Sequence, residues 1–296
     1  MVVQQHRCGG GALAVLALTV AGVMTVGSGC SGAGGGGGDA AGERVAGGAP
    51  AGSPAAVVRR AAEELADVGS AEARTSMETS AGGTRVTIRG KGAYDFRRQL
   101  GEIEVVLPKD AAGAEEHRPI TELLAPGALY MKNRGAGVPD DKWVRIDTTS
   151  LEDGNLVTGG VTDPTAAAEL LRGAAEVTYV GRTELAGVEV RHYRGTADLG
   201  RAAREASPSS RGALTAAAKG FSTDTVPFDA YLDGDGLLRK VRHRFTFATE
   251  GPAVAVAVVS TLLLYGFGTP VSVTLPPEAD IYTGRVQQGA GGPETP

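Results

Sequence analysis

Two hydrophobic periods divide the chain. From Ser53 to Gly69 apolar residues recur at helical spacing: Val57, Ala61, Leu65 and Val68 share one face, and Arg59, Arg60, Glu63 and Asp67 the other. Ser53-Pro54 opens this helix and Gly69 closes it. From about residue 73 the period switches to two. TRVTIRG sets Val86 and Ile88 against Arg85, Thr87 and Arg89, and GEIEVVLP sets Ile103, Val105 and Leu107 against Glu102 and Glu104. ALYMKN and KWVRID follow as short strands around the polar loop RGAGVPDD. Asp163-Pro164 caps a second helix with Ala167, Leu170, Leu171 and Ala174 on one side. EVTYVGRTEL and VEVRHYRGTADL pair as a hairpin through Ala186-Gly187, and two short helices flank SPSS. VPFDAYLD, LLRKVRHRFTF and AVAVAVVSTLLLY complete a three-strand meander.

About eleven short strands with turn signals between them, and three helical stretches, predict one α+β domain: a large curved antiparallel sheet with helices against one side. The segment 253–265, AVAVAVVSTLLLY, is apolar on both strand faces. It is too short for a membrane span and too rich in valine for a helix, so it predicts a strand covered on both sides. A packed core or a cavity would each provide such cover. On the preceding strand Val241, His243, Phe245 and Phe247 face one way and Arg242, Arg244 and Thr246 the other.

The ends of the chain have no such periodicity. MVVQQHR followed by the apolar run from Ala12 to Val26 has the layout of a secretory signal peptide over residues 1–29. GSGC, ending at Cys30, resembles a bacterial lipobox, in which the cysteine thiol receives a diacylglyceryl group; Gly27 stands where that motif usually has Leu. The only other cysteine, Cys8, lies in the segment that would be removed, so no internal disulfide is expected. Residues 30–52 then form the lipidated cysteine and a Gly/Ala-rich tether, with a reach of about 25 Å. The folded domain is expected over 53–283, and 284–296 reads as a disordered tail.

Composition narrows function further. A net charge of −5 and a pI near 5.5 carry no footprint for nucleic acid. His117, His192 and His243 are not spaced for zinc, and GxSxG and SxxK are missing, so neither a metal, a cofactor nor enzymatic chemistry is expected. Asp233-Gly-Asp-Gly lacks the distal glutamate of a calcium loop and reads as a hairpin turn. Gly35–Gly38 has no preceding strand and no following Lys-Ser/Thr, so it is not a phosphate loop. Trp143 reads as core or as the rim of a ligand mouth. Arg239, Lys240, Arg242 and Arg244 read as a solvated basic face or a contact for anionic headgroups.

Four segments together resemble the LppX/LprAFG lipoproteins of actinobacteria, within the LolA-like superfamily. ALYMKN…DDKWVRID is similar to their YLK…WV-x-ID hairpin, and VEVRHYRGTADL to the strand that leads into their helices. VPFDAYLDGDGLLRKV and LYGFGTPVSVTLPPEADI are similar to two later segments in the same order, with Tyr231 where a tryptophan is common. The resemblance implies a half-open antiparallel barrel, its concave side plugged by helices, and a hydrophobic cavity for acyl chains. On that reading the cavity is lined by Val86, Ile88, Ile103, Val105, Leu107, Phe245, Phe247, Val254, Val256 and Val258. The partners implied are the membrane, through lipidated Cys30 on the extracytoplasmic face, a lipid or glycolipid cargo, and an envelope transporter. The alternative is a tethered sensor or partner-binding module that uses the same fold without lipid.

Overall fold

A computed structural model describes residues 52–81, 83–108, 118–135, 137–157, 162–247 and 256–284. Cys30 and Val254 lie outside the described residues, as do the signal, the tether up to residue 51 and the tail from residue 285, and of Phe247 only the backbone is described.

The N-terminal helical stretch is two helices rather than one. Ser53 caps α1 (Pro54–Arg59) by accepting from the Ala56 N–H at 3.3 Å, and α2 (Ala61–Val68) ends at Gly69, whose φ of 94° suits glycine. The break at Arg60 lets the two pieces bury against different neighbours. Arg59 Nε of α1 donates to the Ala174 carbonyl at 2.9 Å, while α2 packs on α3 (Pro164–Leu170) and on the strand Leu238–Phe247.

Among the described residues eleven strands form a single antiparallel sheet: β1 (Ser70–Ala81), β2 (Thr84–Asp95), β3 (Leu100–Val106), β4 (Ile120–Ala125), β5 (Ala128–Lys132), β6 (Trp143–Asp147), β7 (Ala174–Leu185), β8 (Val188–Asp198), β9 (Thr225–Leu232), β10 (Leu238–Phe247) and β11 (Val256–Tyr265). The spatial order is β6-β5-β4-β3-β2-β1-β11-β10-β9-β8-β7, so β11 docks between the first strand and the meander. β6 and β7 are not paired with each other, and the curved sheet is a half-open barrel. The two edges are treated differently. Trp143 on β6 bridges Ile281 of the C-terminal segment, whereas β7 carries two register shifts, which bend an edge away from edge-to-edge pairing.

Register assigns every strand position to a face. Met77 pairs with both Ser260 and Ile88, Thr75 with Leu262 and Gly90, and Thr79 with Val258 and Val86. Gly90 continues to Val105 and on to Ile120, and Val258 pairs with Phe245. These residues share the inner face, against which α1–α3, α4 (Leu199–Glu205) and α5 (Pro208–Gly220) pack in one core that includes Val58, Leu65, Leu170, Leu214 and Leu264. Glycine is required where rings lie flat on this face: a Cβ on Gly101 would meet the Tyr94 ring at 2.3 Å.

The doubly apolar strand is resolved by the same register. Val256, Val258, Ser260, Leu262 and Leu264 point inward. The odd positions face outward, where Val259, Thr261, Leu263 and Tyr265 are half-buried and Ala257 is exposed. Their flanks are Lys240, Arg242 and Arg244 on β10 and Arg74 on β1, and the Arg74 guanidinium lies 5.1 Å from the centre of the Tyr265 ring. Of these, Arg74 lies over Tyr265, while Lys240 and Arg244 reach the other way, to Tyr231 and Asp229 on β9. The outer face of β11 is therefore only half-covered, and both the helices and the candidate lining lie on its inner face.

Candidate functional site

The candidate lining positions fall on one face but at two depths. Ile103, Val105, Phe245 and Val258 are buried within the core. Val86 is 41% exposed, and Ile88, Leu107 and Val256 are half-buried at the edge of the core. The second group lies on β2, just past β3 and on β11, on either side of Thr79 on β1, at the end of the sheet away from the β2–β3 turn. The apolar inner face thus runs from under the helices out to water over β3, β2 and β11. An apolar patch that continues past its own cover is a surface that gains free energy when something else covers it.

Charge is handled oppositely on the two faces. Inward-facing Glu122 on β4, which pairs with Ile103 and Met131, has no exposed surface, and among the described residues no group hydrogen-bonds either carboxyl oxygen. Arg134 Nη1 stands 3.8 Å from Oε1. Burial raises the Glu122 pKa to about 8, against a smaller lowering by Arg134, so the neutral acid is favoured. His243, inward on β10 between Phe228 and Phe245, is pushed down to about 3 by burial and is neutral as well.

On the outer face Asp229 of β9 is 3% exposed yet ionised. It takes His192 Nε2 at 2.8 Å, Arg194 Nε at 2.9 Å and Arg244 Nη2 at 2.5 Å. Burial alone would raise its pKa, but these donors, Arg244 foremost, lower it to about 2. Tyr231 stacks on His192 with ring centres 4.4 Å apart, and the Lys240 ammonium lies 5.2 Å from the Tyr231 ring. Sequence reading missed both carboxyls. Glu122 breaks the alternation of ITELLA, which is a signal in itself; the partners of Asp229 lie 15 to 37 residues away and leave no local trace.

The remaining sequence motifs occupy separate places. His243 faces Ser260 across the β10–β11 ladder, but the Ser260 hydroxyl is bonded to the Thr162 hydroxyl at 2.6 Å, which in turn donates to the Leu156 carbonyl. Asp233 closes the β9–β10 turn on itself, accepting from the N–H groups of Asp235 and Leu237 and from Arg239 Nε. Trp143 is half-buried on β6, with the Lys132 ammonium 5.5 Å from its ring. Among the described residues no three His, Cys, Asp or Glu side chains converge on a metal-sized site, and no helix is long and apolar enough to cross a membrane.

No protein-family model and no curated protein matches the chain. Solved structures similar to it include the lipoprotein LppX of Mycobacterium tuberculosis, 13% identical, covering 75% of this chain and 98% of that one at a TM-score of 0.43. LprF from Mycobacterium bovis is 12% identical, with coverage of 75% and 96% and a TM-score of 0.37. A LolA superfamily protein from Nitrosomonas europaea is 11% identical, with coverage of 78% and 99% and a TM-score of 0.33. The first two belong to the group that the four sequence segments resemble. Identities and scores of this size do not carry function across, so function rests on this chain's own residues.

Proposed function

We propose that this chain is a non-enzymatic, lipid-anchored envelope protein that holds the acyl chains of a lipid or glycolipid on the inner face of its half-open sheet and carries it within the envelope. One observation carries the reading: the inner face stays apolar where the helices stop, leaving Val86, Ile88, Leu107 and Val256 partly in water. Each methylene that leaves water gains about 0.8 kcal/mol, so a long acyl chain gains on the order of 10 kcal/mol before ordering costs. The chain first meets these four residues. Ile103, Val105, Phe245 and Val258 line the deeper end, which cargo reaches only by displacing the present cover. The signal layout, Cys30 and the glycine-rich tether support anchoring on the extracytoplasmic face, within reach of a donor bilayer and of an envelope transporter.

A second reading has its own support. The deep half of the inner face is already filled by the chain's own side chains, as a sensor or partner-binding module would have it. Native mass spectrometry on protein purified from cells without detergent separates the two. The carrier reading expects co-purifying lipid in the wild type and its loss in Val86→Asp, which places a charge at an exposed position and leaves the fold intact. A wild type free of lipid under these conditions supports the module and overturns the carrier. Cys30→Ser is expected to release the protein into the medium, and retention on the membrane would count against the anchor.

A further inference from the structure

The chain carries a net charge of −5, yet the centre of its outer sheet face is basic. β1 is the middle strand of the eleven, so β1 and the strands beside it form the crest of the convex side. Two cross-strand rows pass over this crest. Arg242, Thr261, Ser76 and Arg89 oppose one another in turn on β10, β11, β1 and β2, and Lys240, Leu263, Arg74 and Lys91 do so in the next row. Lys91 pairs with Glu104 of β3 at 3.5 Å. Among the described residues no carboxylate lies within 4 Å of Arg74, Arg89, Lys240 or Arg242; those around them are held by other cations, Glu78 by Arg85 at 3.5 Å, and Asp229 by Arg194 at 2.9 Å and by Arg244. On β1 only Glu72, towards the β2–β3 turn, is left without a cation. Arg74, Arg89 and Arg242 are exposed and Lys240 is half-buried.

The layout narrows the partner. From β10 to β2 these four cations span roughly 14 Å, a spread that matches many separate anionic groups better than one small anion. Apolar and aromatic groups lie among them. The Lys240 ammonium is 5.2 Å from the Tyr231 ring, Arg74 lies over Tyr265, and Leu263 stands between Lys240 and Arg74. A cleft of about 280 Å³ lined by Leu185, Val188, Leu263 and Tyr265 adjoins Arg74. A bilayer rich in anionic headgroups offers both a plane of negative charge for the cations and an interfacial layer for tyrosine and leucine. A convex surface meets a plane along its crest, which is where the unpaired cations are.

We propose that the crest of the outer face docks on an anionic lipid bilayer, with Arg74, Arg89, Lys240 and Arg242 over the headgroups. The inference stands apart from the cargo reading, whose residues face inward. The test is co-sedimentation of the full chain carrying Cys30→Ser, so that no lipid anchor contributes, with vesicles of phosphatidylcholine alone or mixed equally with phosphatidylglycerol. Stronger binding to the mixed vesicles, weakened by salt, is expected. Arg242→Gln is expected to lose about fivefold in affinity, and Arg74→Gln combined with it about twenty-fivefold, at an unchanged urea midpoint. Arg242→Lys keeps binding because it keeps the charge. Arg145→Gln, an exposed cation of the same face on edge strand β6, leaves binding unchanged. The proposal is overturned if the mixed vesicles bind no better than the neutral ones, or if Arg145→Gln loses as much as Arg242→Gln. Binding of soluble polyglutamate in place of vesicles, with the same dependence on Arg74 and Arg242, would assign the face to an acidic protein partner and also overturn the membrane. Val86→Asp lies on the inner face and bears on the cargo alone, so the two readings fail separately.

Discussion

Glu122 and Asp229 are buried carboxyls on opposite faces of one sheet. Asp229, under Arg194, Arg244 and His192, stays ionised to about pH 2; Glu122, among Ile103, Met131 and a guanidinium at 3.8 Å, keeps its proton to about pH 8. Neither has more than a trace of exposed surface, although Glu122 lies deeper in the protein. What separates them is whether charged donors reach the oxygens directly. The outer face organises charge with cross-strand pairs such as Lys91–Glu104, while Glu122 and His243 on the inner face are held neutral by burial. The one inward cation of β8, Arg191, lies towards the end of that strand and donates to the Asp233 carbonyl, so the middle of the inner face is apolar and uncharged.

The largest expected effect comes from moving one charge by one residue across that divide. Val258→Asp places a carboxylate among Phe245, Thr79 and the core, with an expected loss of about 5 kcal/mol or more, enough to prevent folding. Val259→Asp faces outward beside Arg244, and a change under about 1 kcal/mol is expected. Urea unfolding of both variants decides the matter: equal losses would show that the two faces are not distinct in polarity at β11.

Next in size is the pH dependence of the inner face. Glu122 has a raised pKa, so the unfolded chain loses its proton first. Stability is therefore full below about 4.5 and is lost as pH rises towards about 8, by on the order of 4 kcal/mol. His243 has a lowered pKa, so the unfolded chain gains a proton first. Its share is full above 6.5 and is lost as pH falls towards about 3. Between 4.5 and 6.5 the two slopes oppose each other and stability is flat. Glu122→Gln is expected to remove the alkaline limb and leave the acid limb in place, as read from urea midpoints between pH 4 and 9. An unchanged alkaline limb would mean that Glu122 reaches water or a closer cation.

These cases also show what a sequence can and cannot carry. The inner positions of β2, β3 and β10 were legible because each strand alternates cleanly, and antiparallel pairing maps one alternation onto the next. The strand at 253–265 was legible as a strand but not as to cover, since the pattern of one strand does not say which elements lie over each of its faces. The break at Arg60 was invisible because both helical pieces keep the same period. The Tyr94 hydroxyl on β2 donates to Asp163, the cap of α3, across 69 residues of chain, a contact that no local spacing encodes.

On the outer face the corresponding change is smaller. Asp229→Asn replaces the carboxylate shared by Arg194, Arg244 and His192 with a neutral amide that keeps one acceptor oxygen, but Arg194 is 63% and Arg244 37% exposed in their side chains and both can turn to water. A loss of about 2 kcal/mol is expected, shrinking at high salt. The lowered pKa gives the sign with pH: the contribution is present above 3.8 and is lost as pH falls towards about 2. A salt-independent loss above 4 kcal/mol would place this network with the buried, dry groups of the inner face.

The smallest effect tests how dry the inner face is. Thr75 Oγ1 is buried on β1 between Gly90 and Leu262, and no protein group is in hydrogen-bond reach. Valine has the same shape, so Thr75→Val exchanges an unpaired hydroxyl for a methyl without creating a cavity. A gain of up to about 1 kcal/mol is expected, seen as a higher urea midpoint with an unchanged slope. A loss instead would mean that the hydroxyl has a partner from solvent in the wild type. The inner face would then be wet at β1, and the contrast with the outer face would be one of pairing alone.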